Sequence, residues 1–183
     1  SIRTTRIVPI DLNCLLFKIE NLLAQFYLAL ENKPLSENYQ QMATDRKSAI
    51  NRYLWCDKQG FFVDYDIDLD NTAERDDDDF KREHVLSLAG VLPLFVGLAN
   101  ERQANRVAKL LAQSFLHDGG LVTTLNTTGQ QWDSPNGWAP LHWFAVQGLR
   151  DYQQTVLAKE VCLRWVKTVE HFFSQSGKLM EKY

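Results

Sequence analysis

Apolar residues recur at helical spacing along most of this chain, in six blocks of two alternating kinds. The first, third and fifth blocks are strongly apolar. The second, fourth and sixth carry one apolar stripe against a charged side. This alternation constrains the fold more than any other feature, because a helix apolar on most sides must be covered on most sides, whereas a striped one keeps a face in water. Successive αα-hairpins, each with an inner and an outer helix, meet both demands and build curved arrays or closed toroids. The expectation is an all-α chain of about three such hairpins, with any site in the loops at one end of the inner helices.

In chain order, Pro9 ends an extended entry. Asp11 is a plausible N-cap for a first helix over about 11–31, with Leu12, Leu15, Leu16, Ile19, Leu22, Leu23 and Phe26 in period. Ser36 is placed to cap a second, about 36–56, whose Glu37, Asp45, Arg46, Lys47 and Asn51 read as a solvated side. Phe61-Phe62-Val63 followed by strict alternation over 64–70 reads as extended, with Asp64, Asp66, Asp68 and Asp70 on one face. A calcium loop would need glycine at the sixth position and glutamate at the twelfth, where this chain has Leu69 and Arg75, so the run reads as a solvated carboxylate face. The acidic run Asp76 to Asp79 reads as a surface loop of mutually repelling charges. The third helix, about 83–99, is apolar nearly all round, with Pro93 implying a kink or break and His84 a capping or surface imidazole. The fourth spans about 101–116 and ends at Gly119-Gly120; Pro140 opens the fifth, and the sixth covers about 154–175.

At 183 residues and 45% hydrophobic, the chain suffices for one domain with a sizeable core. A net charge of −3 with no basic block argues against nucleic acid or an anionic membrane surface as partner, and no apolar run reaches the ~18 residues of a transmembrane helix. Cys14, Cys56 and Cys162 lie in apolar patterns without disulfide or zinc spacing and read as buried thiols. They lean towards a reducing compartment, cytoplasmic rather than periplasmic, without fixing it.

The chemistry concentrates in Gln130-Gln131-Trp132-Asp133-Ser134-Pro135-Asn136-Gly137-Trp138-Ala139-Pro140, between a Thr-rich loop and the fifth helix. Aromatic faces beside convergent polar groups suit a polyhydroxylated ring, whose C–H faces pack on aromatics while its hydroxyls need donors and acceptors. Trp132 and Trp138 are walls of such a site or core packing. Asp133 has three open roles: a general acid raised by an apolar wall, a hydrogen-bonding group for sugar or loop, or a helix cap. Gln131, like Gln130, can offer both amide groups to hydroxyls. Asn136-Gly137 suits a tight turn with positive φ, so Asn136 is as well suited to structure as to binding. His142 and Trp143 read as scaffold.

The run from Gln131 to Pro140, continuing into Leu141-His142-Trp143, resembles the second signature of the inverting α,α-trehalase family. Ile7 to Asn13, Arg52 to Trp55 with Asp64 to Asp66, and Glu181-Lys182-Tyr183 are similar to further family blocks, so the resemblance covers the whole chain. It implies an (α/α)6 toroid, hydrolysis of trehalose to two glucose molecules with inversion, no cofactor, and substrate contacts from Gln131, Trp132, Asp133, Asn136 and Trp138. It also implies that the catalytic acid lies in a Gly-Trp-Asp segment upstream and the base in a Gly-Glu-Tyr segment downstream. Neither segment is in this sequence. The expectations are therefore an internal section of a longer enzyme, inactive by itself and prone to self-association through uncovered apolar flanks. A non-catalytic helical module that binds sugar or protein through the same loop is the alternative. A toroidal cyclase is disfavoured, because cyclases space Gln and Trp apart.

Overall fold

The computed structural model describes residues 5–67 and 85–183. Asp68, Asp70, the 76–79 acidic run, His84 and the start of the expected third helix lie outside the described residues. Two short strands, β1 (Ile7–Val8) and β4 (Tyr65–Asp66), pair antiparallel with Ile7 opposite Asp66. Pro9 then turns the chain into α1 (Ile10–Ala29). The N-cap of α1 is Pro9, not Asp11, and Pro9 has no side chain that can accept. Asp64 supplies the acceptor from 54 residues away, with Oδ1 2.9 Å from the Ile10 amide. Burial pushes the Asp64 carboxyl up against the pull of that amide, so Asp64 is a capping group and not part of a solvated face.

A left-handed Glu31 (φ 58°) reverses the chain into α2 (Lys33–Tyr53). Asn32 caps α2 through its side chain, and Pro34 sits in the first turn, where its missing N–H costs nothing. The helix thus begins three residues before the expected Ser36, whose hydroxyl instead donates to the Ala24 carbonyl of α1. A hairpin of β2 (Trp55–Cys56) and β3 (Phe61–Phe62) follows. Phe61 and Phe62 are almost wholly buried, each worth about 1.5–3 kcal/mol of transfer free energy.

The third apolar block is not one long helix. From an extended Ser87 the chain makes a 3₁₀ turn, Leu88–Val91, then the single α-turn α3 (Leu92–Phe95), with Pro93 in its first turn. Pro93 therefore starts a helix instead of kinking one. Gly90 has to be glycine, since a Cβ there would lie 2.3 Å from the Phe61 ring and the Phe62 carbonyl oxygen.

A reciprocal capping box of Asn100 and Gln103 opens α4 (Glu101–Leu110), which runs into a π turn at Leu111–Phe115. The hairpin β5 (Leu116–His117) and β6 (Gly120–Leu121) follows, then α5 (Ala139–Asp151) and α6 (Thr155–Ser176) with left-handed Gly177 as C-cap. The inner elements α1, α3 and α5 pack in that order, while α2 and α6 lie against α1 and α5 respectively. The core between them includes Cys14, Phe17, Ile50, Leu92, Leu94, Phe115 and Leu149.

Two readings of charge and thiol need correction. Arg46, half-buried, turns towards α1: its guanidinium makes three hydrogen bonds of 2.7–3.0 Å to Glu20, a residue of α1 only 5% exposed. The hydrogen bonds that Arg46 donates to Glu20 push its guanidinium pKa up further. Cys14 and Cys56 are buried, and burial pushes the Cys14 thiol up, but Cys162 is exposed on α6.

Candidate sugar-facing loop

The loop from Asn126 to Trp138 rests on a patch of irregular extended backbone. The Leu88 amide donates to the Thr123 carbonyl (2.8 Å) and the Thr123 amide to Asn136 (3.0 Å). Gly137 and Tyr183 exchange both backbone bonds (2.7 and 3.1 Å). Segments near 88, 123, 137 and 183 thus lie side by side, bringing together the entries to the 3₁₀ turn and to α5.

Glycine at 137 follows from this crowding and not from a positive φ. A Cβ there would meet the Leu121 carbonyl oxygen at 2.9 Å and the His142 and Trp165 rings at 3.0 Å. Neither Asn136 nor Gly137 is left-handed, so the expected positive-φ turn is absent. Left-handed glycines occur instead at Gly120 (φ 125°) and Gly129 (φ 83°).

Asp133 is half-buried and held at both oxygens. The Thr124 hydroxyl donates to Oδ1 at 2.9 Å and the Thr128 hydroxyl donates to Oδ2. Its own amide donates to Gln130 and its carbonyl accepts from the Asn136 amide (3.1 and 2.9 Å). Asp133 caps no helix, because α5 begins after Trp138 without a side-chain cap. The arrangement makes Asp133 the acceptor around which the loop closes. Thr124 and Thr128 were not singled out from sequence, although hydroxyls flanking a lone loop carboxylate are a usable signal.

Trp132 and Trp138 stack face to face, 3.9 Å between centroids and 3° from parallel. Trp138 is buried and its indole N–H donates to the Gln131 carbonyl at 3.1 Å, while Trp132 is 51% exposed. The pair is a slab with its inner plate fixed and its outer plate towards solvent. Asn136 turns inward: its amide nitrogen reaches the Asp133 carbonyl (3.2 Å) and its Oδ1 accepts from Lys182 Nζ (3.2 Å). Gln131 is exposed at the rim. The five candidates therefore fall in one loop, with Trp132 and Gln131 outermost and Trp138, Asp133 and Asn136 supporting them.

His142, in the first turns of α5, is 3% exposed and packs under the loop against Trp165, with ring centroids 3.8 Å apart. A cavity of about 370 Å³ beside it is lined by Leu121, Pro135, Gly137, Trp165, Thr168 and Tyr183. A larger groove of about 620 Å³ lies away from the loop, between α1 and α2 beside Glu20 and Arg46. Among the described residues no three His, Cys, Asp or Glu side chains converge as a metal site, and no helix is long and apolar enough to cross a membrane.

The architecture has close counterparts. Neutral trehalase Nth1 of Saccharomyces cerevisiae superposes over 97% of this chain at 28% identity and a TM-score of 0.82. A GH63 mannosylglycerate hydrolase from Thermus thermophilus, solved with glucose, matches 97% of it at 20% identity and a TM-score of 0.73, a likeness of fold alone. This chain spans 34% of the yeast protein and 42% of the Thermus one. Its hairpins are thus a section of an (α/α)6 toroid, as the sequence led one to expect. The family model described as Trehalase matches residues 1–183 from end to end, and the chain belongs to the trehalase family.

Proposed function

We propose that this chain is the section of an inverting α,α-trehalase that contributes about three hairpins to the catalytic toroid and one wall of its sugar site. The observation that carries this reading is the Trp132–Trp138 slab, whose half-exposed outer plate is backed by a buried one and stands over a loop closed on Asp133. A rigid aromatic face beside amide groups is what a glucosyl ring requires. Trp132 stacks on the sugar, Gln131 meets its hydroxyls, and Trp138, Asp133 and Asn136 hold these two in place.

Inversion needs an acid and a base with about 6.5–9.5 Å between their carboxyl groups to admit a water molecule. The only carboxylate in the signature is Asp133, and it already accepts from two threonine hydroxyls. In this reading the pair comes from other segments of the parent enzyme, as the resemblance to the family implies, and residues 1–183 form part of one catalytic domain. The exposed row Leu12, Leu15, Ile19 and Phe26 on α1, continued by Leu30 at its C-cap, supports this reading, as do Leu163, Val166 and Phe173 on α6. Those are flanks that further hairpins would cover, and uncovered they promote self-association.

Tryptophan fluorescence of the purified chain titrated with trehalose and with glucose tests the wall. A weak, saturable change that Trp132→Ala abolishes is expected; no change, or one that survives Trp132→Ala, overturns it.

A further inference from the structure

His142 is locked between two backbone groups that accept only one of its tautomers. The Leu121 amide donates to Nε2 at 2.8 Å, so Nε2 must carry a lone pair. Nδ1 therefore bears the proton and donates to the Trp138 carbonyl at 2.8 Å. Trp138 is the inner plate of the slab, and Leu121 belongs to the β-hairpin below it. The two closest glycines are part of the same device: a Cβ on Gly120 would lie 2.5 Å from Nε2, and one on Gly137 3.0 Å from Cε1. The ring's face lies on Trp165 of α6, which also makes a perpendicular contact with the Tyr183 ring.

We infer that His142 is a positioning residue for the sugar wall: as a neutral Nδ1–H imidazole it ties the Trp138 carbonyl to the β5–β6 hairpin and so sets the pose of the Trp132–Trp138 slab. The inference rests on the reading of that slab as the sugar face. Among the charged and titratable groups on the surrounding elements, His117 ends β5, Asp118 lies in the β5–β6 turn, Arg164 is on α6 and Lys182 stands beside Asn136. Arg164 is held by Glu160 and the His117 carbonyl, Lys182 by Asn136. None hydrogen-bonds to the imidazole, and its lowered pKa, about 4, comes from burial, against the opposing pull of the Trp138 carbonyl. A protonated Nε2 would set a second donor against the Leu121 amide and break the tie on the hairpin side.

The wild-type 183-residue chain, labelled with ¹⁵N at histidine, decides the tautomer at neutral pH. A protonated Nδ1 beside an unprotonated Nε2 is expected for His142; a protonated Nε2 overturns the inference whether or not any variant folds. Near-ultraviolet circular dichroism then reads the exciton couplet of the stacked tryptophans. His142→Phe keeps the ring on Trp165 but loses both polar links, and should lose most of the couplet while retaining the helical far-ultraviolet signal. His142→Gln, which keeps an acceptor for the Leu121 amide, should retain at least half of it. Apparent trehalose affinity should fall about tenfold in His142→Phe and less than threefold in His142→Gln. An unchanged couplet in His142→Phe refutes the positioning role. A correct tautomer and couplet response without any sugar response would leave His142 as the key of the slab and refute the proposed function instead.

Discussion

The α1–α2 hairpin and the corner formed by the signature loop, α5 and α6 are each tied through one buried polar side chain, Glu20 and His142 respectively, but one tie is charged and the other neutral. In the hairpin, Arg46 grips both oxygens of Glu20 and reaches Asn13 Oδ1 at 2.9 Å. In the corner, His142 joins two backbone groups as an uncharged ring. A buried ion pair is robust only while both halves are present, because removing one strands the other in low dielectric. A neutral imidazole is held by modest single bonds but can be undone by one proton. The α1–α2 hairpin therefore depends on composition, and the signature-loop corner on protonation.

The largest effect should come from breaking the charged tie. Arg46→Leu is expected to cost about 3–5 kcal/mol in urea denaturation, by leaving Glu20 buried and unpaired, and Glu20→Leu/Arg46→Leu together to recover most of it. A loss below about 1 kcal/mol in the single variant would show that the pair does not hold α1 to α2.

The neutral tie should fail with acid. His142 has a folded pKa of about 4, against 6.5 unfolded, so between these values the unfolded chain binds the extra proton. Its contribution is complete above pH 6.5, falls as the pH drops towards 4, and amounts to about 3 kcal/mol over that window. His142→Gln should flatten this part of the stability–pH curve, whereas Glu20→Leu/Arg46→Leu should leave it in place.

Smaller losses should follow within the loop. Asp133→Ala removes the acceptor of two threonine hydroxyls, one of them on buried Thr124, and should cost about 1–2 kcal/mol of stability, read from the thermal midpoint. Trp132→Ala removes a half-exposed plate and should cost less than about 1.5 kcal/mol while abolishing the sugar response. On the outer flank, Ile19→Glu with Phe26→Glu should leave stability nearly unchanged and shift the sedimenting species towards monomer.

The sequence was legible where periodicity and structure share a cause. The starts of α1, α5 and α6 fall within a residue or so of where their apolar period places them, because burial of one face makes both the pattern and the helix. The third block misled for a physical reason. An apolar run records burial and not conformation, and here burial of Phe61 against Gly90 is served by an extended segment, a 3₁₀ turn and one α-turn. Both polar ties were misjudged or passed over because their partners are remote. Arg46 sits on an otherwise charged helix, and His142 is satisfied by backbone that no composition reveals. One clue was available: Glu20 lies in the stripe of Cys14, Phe17 and Ala24, where a lone carboxylate requires a cation. In the signature, residue types pointed to a candidate sugar site, but the ordering of that loop depends on Thr124, Thr128 and Leu121, outside the motif.

No glucose release at glycosidase rates is expected when the purified chain is incubated with trehalose; turnover would place a carboxyl pair within residues 1–183.

Whether Trp132 is the outer plate of a sugar wall fixed by Trp138 can be read from ¹H–¹⁵N spectra of the five indole N–H groups during titration with trehalose. The Trp132 signal should move saturably, that of Trp138 should keep the low-field position of its bond to Gln131 and move little, and those of Trp55, Trp143 and Trp165 should stay still. Five unmoved signals, or movement centred on Trp143 or Trp55, would contradict it.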